Sequence, residues 1–266
     1  MRKLASGWAR AAAKGAPSIG RGSLSVPALL ALAYPDRIAK ARGAPGQFLL
    51  ANGRGAALDP ADPLARSPYL IVAELQGAAA STRILLAAAV DESEILSIGG
   101  HRITETDEIT FDRQVAALRA RRVRRLGAIT LASEPRPVPP DDAAEKLAEG
   151  IASLGIDKLP WSKSQQQLRA RAAFLRQVDA ETWSDLSDAA LAASASEWLA
   201  PFITGKSRLD EITPDDLAAA LDALVPWDLR RRLDAEAPTH FTAPTGHSHV
   251  IHYDGPDAPS LHIRVQ

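Results

Sequence analysis

The tetrapeptide Asn52-Gly53-Arg54-Gly55 is the strongest local candidate for chemistry in this sequence. Two glycines leave the backbone amides open and permit left-handed dihedrals, and Arg54 can fork onto a phosphate or stack on a base. Asn-Gly is also the commonest hairpin turn, and a turn can carry an arginine into a groove. Arg37, Lys40 and Arg42 lie just upstream, so the same edge is basic. A second run, residues 118–126, holds Arg119, Arg121, Arg122, Arg124 and Arg125 and could line a phosphate track. In a helix or an extended arm, Arg121, Arg122, Arg124 and Arg125 cannot all point one way. The alternative is a solvated charged face, or pairing with the acids of residues 179–222.

Other reactive side chains point elsewhere. His247 and His249 share one face of a strand while His252 points opposite, which spoils a three-ligand metal cluster. Asp141-Asp142 and Asp215-Asp216 sit at helix starts, where capping is a sufficient reason for them. No G-x-S-x-G elbow and no cysteine nucleophile exists. Trp161, Trp198 and Trp227 are spaced like helix-packing anchors and are expected in the core.

These residues need a scaffold, and the pattern of the chain is α+β. Short β-like runs cover Asp36–Lys40, Gln47–Ala51, Ala56–Leu58, Tyr69–Leu75 and Arg83–Val90, separated by turn residues. Five short strands in so few residues suit a small closed or nearly closed barrel. Further β structure is expected at Arg102–Phe111 and Gly127–Ser133, with the arginine-rich stretch between them. Four prolines in Glu134–Pro140 read as an extended linker and a domain boundary. Beyond it the chain is mainly helical, with starts at Asp141, Ser164, Leu186-Ser187-Asp188 and Thr213-Pro214, and it ends in two strands, Ser248–Tyr253 and Leu261–Val265. Ahead of the barrel, residues 2–14 carry Leu4 and Trp8 at helical spacing. The expected division is therefore a helical segment at 1–24, a β domain at 25–134 and a mainly helical domain at 141–266.

The 266 residues are 46% hydrophobic and 24% charged, the range of ordinary globular proteins. The net charge of −1 conceals asymmetry: residues 1–42 carry eight Lys or Arg against one acid, whereas residues 179–222 carry ten acids against two bases. A chain polarised in this way can turn one face to phosphate and another to solvent or a partner. The absence of cysteine rules out disulfides and thiolate zinc sites. No apolar run is long enough to span a membrane, and a cytoplasmic location is expected.

The order of residues 29–59, LLALAYPDRIAKARGAPGQFLLANGRGAALD, resembles the block that follows the motor domains in HrpB-type ATP-dependent helicases of the DEAH-box class. Pro160-Trp161, Trp198-Leu199-Ala200-Pro201, Thr204-Gly205, Leu233-Asp234, Ala237-Pro238 and Pro244-Thr245-Gly246 look matched as well, so the resemblance runs from about Ser25 to Gln266. It implies an OB-like barrel followed by a family-specific helical region, and residues 1–24 as the end of a ratchet-type helical segment. No G-x-x-x-x-G-K-[ST] loop and no Asp-Glu-Ala-His box occurs, so ATP and magnesium are implied only for motor domains outside this chain. The implied role is an accessory part of an RNA helicase, inactive as an ATPase alone, that guides or clamps single-stranded RNA or another nucleic acid. The alternative is a protein-protein interaction module whose basic patches dock the motor domains or an acidic partner. A stand-alone hydrolase using the C-terminal histidines is a third reading.

Overall fold

The computed structural model describes residues 25–77, 82–244, 246–253 and 259–262. The expected helix at 2–14, Thr245, the turn at 254–256 and the strand residues 263–265 lie outside the described residues. Residue contacts divide the chain into two compact units: the described residues up to Thr106 with Val123–Ser133, and Asp107–Arg122 with the described residues from Glu134 onward.

The first unit opens with α1 (Val26–Ala33), whose cap Ser25 accepts a hydrogen bond from the Ala28 amide while Pro27 sits in the first turn. Then come β1 (Ile38–Ala41), β2 (Gln47–Leu50), β3 (Gly55–Ala57), β4 (Tyr69–Gln76) and β5 (Arg83–Ala89). They form a closed barrel in the order β1-β2-β3-β5-β4, with β4 pairing back onto β1. Closure between β3 and β5 rests on one parallel pair, Ala57 opposite Arg83. Ala39, Phe48, Leu50, Ala56, Leu70, Val72 and Ile84 fill one core cluster. Ile38, Tyr69 and Ile71, on alternate positions, join a second cluster with Ala31, Ile95, Leu126, Ile129 and Leu131. Both faces of β4 are therefore buried from Tyr69 to Val72, which is why that strand is a continuous apolar run.

A short helix, α2 (Glu92–Gly99), follows the barrel where the sequence suggested only the end of a β pattern. The signal was the acidic first turn after Asp91, with Glu92 and Glu94 complementing the helix dipole. Next, β6 (Ile103–Asp112), β7 (Ala117–Leu126) and β8 (Ile129–Arg136) form a three-stranded sheet with β7 in the centre. Two expectations are corrected here. The arginine-rich stretch is itself the central strand of this sheet, β7, rather than a helix or an extended arm between two strands. Glu134, Pro135 and Arg136 belong to β8, an edge strand, where a proline without an N–H costs no ladder bond on the open side.

In the second unit, α3 (Pro140–Leu154) buries Ala143, Leu147 and Ile151 at four-residue spacing and stops at Gly155, whose φ of +128° suits glycine. The following helix, α4 (Lys163–Arg176), has a capping box in which Ser162 and Gln165 satisfy each other's backbone amides. The single helix expected after Ser187 is two, α5 (Asp188–Ala193) and α6 (Ala195–Trp198). The break falls at Ser194, whose hydroxyl bonds back to the Ala190 carbonyl and whose ψ of 22° has left the helical region. Thr213 and Asp216 box the start of α7 (Pro214–Leu224), as the sequence indicated. The last helix, α8 (Trp227–Glu236), was not foreseen. β9 (His240–Thr242), β10 (Ser248–His252) and β11 (Ser260–Leu261) form a small sheet with β10 central. Leu147, Ile151, Trp183, Leu191, Trp198, Leu217 and Leu233 belong to one core. Trp161 stacks on Trp198 with ring centroids 6.1 Å apart, so both serve the packing role expected of them. Trp227 does not: it is 72% exposed.

Candidate nucleic-acid interface

The basic residues around the barrel fall into two groups. Arg37 donates through Nη1 to the Ala73 carbonyl at 2.8 Å, and its guanidinium lies 4.7 Å from the Tyr34 ring centroid. Lys40 donates through Nζ to the Thr130 carbonyl at 2.6 Å and sits 5.7 Å from the Tyr69 ring centroid. Both cations are half-buried and engaged with the fold. Burial, helped by the nearby Glu92 carboxylate, pushes the Tyr69 hydroxyl above its ordinary range.

Arg42 and Arg54 are exposed. Asn52 Oδ1 accepts from the Arg54 amide at 3.0 Å, so the Asn52 side chain holds the turn, and Gly53 supplies the left-handed residue at φ +86°. The Arg54 side chain has no hydrogen bond or ion pair among the described residues. Arg42 lies along β2 and β3: a Cβ at Gly55 would stand 2.7 Å from its Nη2, so the glycine lets the guanidinium rest against the backbone.

Arg42 also lines a surface groove of about 540 Å³ together with Gln47, Gly55 to Pro60, Thr82 and Arg83. Neither Arg42 nor Arg83 has an ion pair with a described carboxylate. The acid in the groove, Asp59, accepts the Ala61 amide at 2.9 Å. Arg83 did not emerge from the sequence, because only the parallel closure of β3 on β5 brings it beside Ala57.

The arginines of β7 are placed differently. Alternation along the strand puts Arg122 and Arg124 on one face and Arg119, Arg121 and Arg125 on the other. Arg119 donates to Asp112 at 2.7 Å, Arg122 grips Asp107 at 2.9 and 3.1 Å, and Arg124 reaches Glu105 at 3.4 Å. The acids run backwards along β6 as the arginines run forwards along β7, as partners do across an antiparallel hairpin. For Arg119, Arg122 and Arg124 the alternative of pairing with the acids of residues 179–222 is thereby corrected. Asp185, Asp188, Asp210, Asp216 and Asp222 instead pair with Arg176, Arg169, Arg208, Lys206 and Arg230. The hydrogen bond from Arg122 holds the Asp107 carboxyl below its usual range, and that from Arg119 does the same for Asp112. Arg125 is half-buried and engaged, while Arg121 is exposed with no partner among the described residues.

Gly205-Lys206-Ser207 ends like a phosphate loop, but it follows a short 3₁₀ turn instead of joining a strand to a helix. Lys206 Nζ is ion-paired with Asp216, and the Ser207 amide donates to Glu211 at 2.7 Å. These groups are occupied by the protein itself. The His252 and His262 rings lie 4.8 Å apart, and no cluster of three metal-ligating side chains occurs among the described residues. No described helix is long and apolar enough to cross a membrane.

Taken together, these features define an α+β protein with a small closed barrel and a helical region, without the sequence loops of an NTPase. The family described as ATP-dependent helicase C-terminal matches residues 198–266, and the connector region of the ATP-dependent RNA helicase HrpB matches residues 102–136. The ATP-dependent RNA helicase HrpB of Escherichia coli (strain K12) is 37% identical over 245 residues, covering 90% of this chain and 30% of that protein. Two solved structures are also similar. The E. coli DExH-box NTPase HrpB is 36% identical with a TM-score of 0.46, covering 90% of this chain and 30% of that one. The Escherichia coli DEAH/RHA helicase HrpB is 32% identical with a TM-score of 0.47, covering 91% and 31%. The chain corresponds to the C-terminal, accessory region of HrpB-type ATP-dependent helicases. It spans about 30% of the length of the curated relative it matches.

Proposed function

We propose that this chain guides single-stranded nucleic acid, RNA by the name of its relative, along the barrel, and that the barrel is OB-like. The strand order β1-β2-β3-β5-β4 supports the second part. Folds of this kind bind oligonucleotides on the face of strands 2 and 3 and the loops beside it. The observation that carries the reading is the groove on β2 and β3, in which Arg42 and Arg83 face solvent without a described carboxylate partner. Two guanidinium groups without an ion-pair partner among the described residues, set against one acid in the groove, Asp59, suit the phosphates of a strand. In this arrangement Arg42 and Arg54 touch the ligand, whereas Arg37 and Lys40 hold the barrel. ATP hydrolysis and strand separation would come from the motor domains of the complete helicase.

The test is the salt dependence of oligouridylate binding, measured by fluorescence anisotropy. Arg42→Ala/Arg83→Ala should weaken binding and lower the slope of log affinity against log salt by about 1.4, roughly 0.7 for each single-strand phosphate left without its arginine. Unchanged affinity and slope would overturn the reading.

A second reading, docking to another part of the helicase, is favoured by α1. Val26, Leu29 and Leu32 share one face of that helix at three-residue spacing, and all are exposed. Unchanged oligouridylate binding in the barrel variant, combined with weaker association of Leu29→Asp with a separately supplied motor fragment, would favour it.

A further inference from the structure

The geometry points to a second nucleic-acid contact on the helical unit: Trp227, held beside Arg231, is a stacking platform for an unpaired base. Trp183 and Trp198 are buried in the core of this unit, and the half-buried Trp161 donates its indole N–H to the Ile156 carbonyl at 2.8 Å. Trp227 has none of these attachments and leaves most of its ring in solvent. Burial therefore does not account for the choice of a large aromatic side chain at this position.

The neighbouring arginines sharpen the point. Arg230 pairs with Asp222, and Arg232 pairs with Glu236 at 3.0 Å and faces Asp179 at 3.9 Å. Arg231 has no carboxylate partner among the described residues. Its guanidinium carbon instead lies 4.9 Å from the Trp227 ring centroid. One face of the indole is thus supported by a cation, and the high exposure leaves room for a flat ring on the other.

The platform stands on a fixed base. Leu233 of α8 is in the core, and Arg171 ties the end of that helix down through Asp234 at 2.6 Å and the Ala237 carbonyl at 2.5 Å. Of the residues that flank the ring in sequence, Pro226, Asp228 and Arg231 are exposed, whereas the apolar Val225 and Leu229 pack into or against the core, so the exposed neighbours supply no broad apolar rim. Protein hot spots gain from a surrounding ring that excludes water, whereas one base needs only a π face and a cation. The surroundings therefore favour a base over a protein side chain.

This inference rests on the nucleic-acid reading of the chain but on different residues, which lets the two fail separately. The whole chain would be titrated with fluorescein-labelled oligouridylate in four forms: unaltered, Trp227→Ala, Trp227→Phe and Arg42→Ala/Arg83→Ala. Trp227→Ala is expected to weaken binding about tenfold with an unchanged salt slope, because the change removes a stacking surface and leaves every phosphate neutralised as before. Trp227→Phe should keep part of the affinity and lose most of the quenching of intrinsic tryptophan fluorescence seen with the unaltered chain. Full affinity and quenching in Trp227→Ala, with the barrel variant weakened, would overturn the platform and leave the barrel reading standing. A weakened Trp227→Ala with an unaffected barrel variant would do the opposite. Unchanged oligouridylate binding, together with failure of Trp227→Ala to associate with a motor fragment, would assign the ring to a protein partner and overturn the inference.

Discussion

Gly150, in the middle of α3, is where the Phe111 ring of β6 packs: a Cβ there would lie 2.9 Å from the Phe111 Cβ and closer still to its ring carbons. A helix-interior glycine costs about 1 kcal/mol relative to alanine, so Gly150→Ala should stabilise the helix taken alone. Overpacking a filled site costs about 1–3 kcal/mol, which is the larger effect. We expect Gly150→Ala to lower Tm, and Gly150→Ala/Phe111→Ala to lose less than the sum of its parts. A rise in Tm for the single variant would show that the ring moves aside freely.

Arg171 makes a comparable prediction inside the second unit. Its side chain is buried, yet it donates to the Ala237 carbonyl and to Asp234. Arg171→Ala would strip a buried carbonyl of its partner, at a cost of about 1–3 kcal/mol on top of the packing of the stem. Arg171→Lys should recover only part of this, since an ammonium cannot reproduce the fork. Urea unfolding of the three forms gives the comparison, and equal stability of Arg171→Ala and the unaltered chain would contradict it.

The barrel was readable because each of its strands is short, alternating or wholly apolar, and fenced by glycine, proline or asparagine. The cap at Thr213 and the stop at Gly155 were legible for the same local reason. What could not be read was set at a distance. Lys40 is turned inward by the Thr130 carbonyl, 90 residues on, and Arg37 by the Ala73 carbonyl, 36 residues on. The ion pairs of the arginine run could not be read, because their acids, Glu105, Asp107 and Asp112, sit on the preceding strand and only the hairpin brings them across. The last helix, α8, starts at Trp227 after Pro226, which gives it no side-chain cap, and buries only Leu233, so the periodic signal was too thin to mark it.

The hairpin ion pairs should respond to acid. Asp107 and Asp112 titrate below their ordinary value of 3.8 in the folded chain, because Arg122 and Arg119 bond to the ionised forms. A carboxyl whose folded pKa is depressed adds stability that is fully present above the unfolded value and lost as pH falls through the folded one. The pairs should therefore be intact at neutral pH and fail below about pH 3.8. Both acids are exposed, so salt should weaken the pairs too. Amide protection across β6 and β7, taken relative to the intrinsic exchange rate at each pH, should fall in that window, and Asp107→Asn should remove much of this pH dependence near Arg122. Protection across the hairpin that stays unchanged as pH falls from neutral to well below 3.8 would count against these pairs.

The last prediction separates a cation that binds from a cation that builds. Arg54 stands on an exposed turn whose geometry is set by Asn52 and Gly53, so Arg54→Ala removes no buried contact and should leave Tm within about a degree, as surface substitutions do. If the nucleic-acid reading holds, the same change should weaken oligouridylate binding and lower the salt slope by about 0.7. Arg37 lies on the other side of the distinction. Its bond to the Ala73 carbonyl and its contact with Tyr34 make Arg37→Ala cost about 1–2 kcal/mol of stability. The salt slope of the folded Arg37→Ala protein should match that of the unaltered chain. Opposite results for the pair, a stable Arg37→Ala with a reduced slope and a destabilised Arg54→Ala with an unchanged one, would mean that exposure and hydrogen bonding have assigned the two roles the wrong way round.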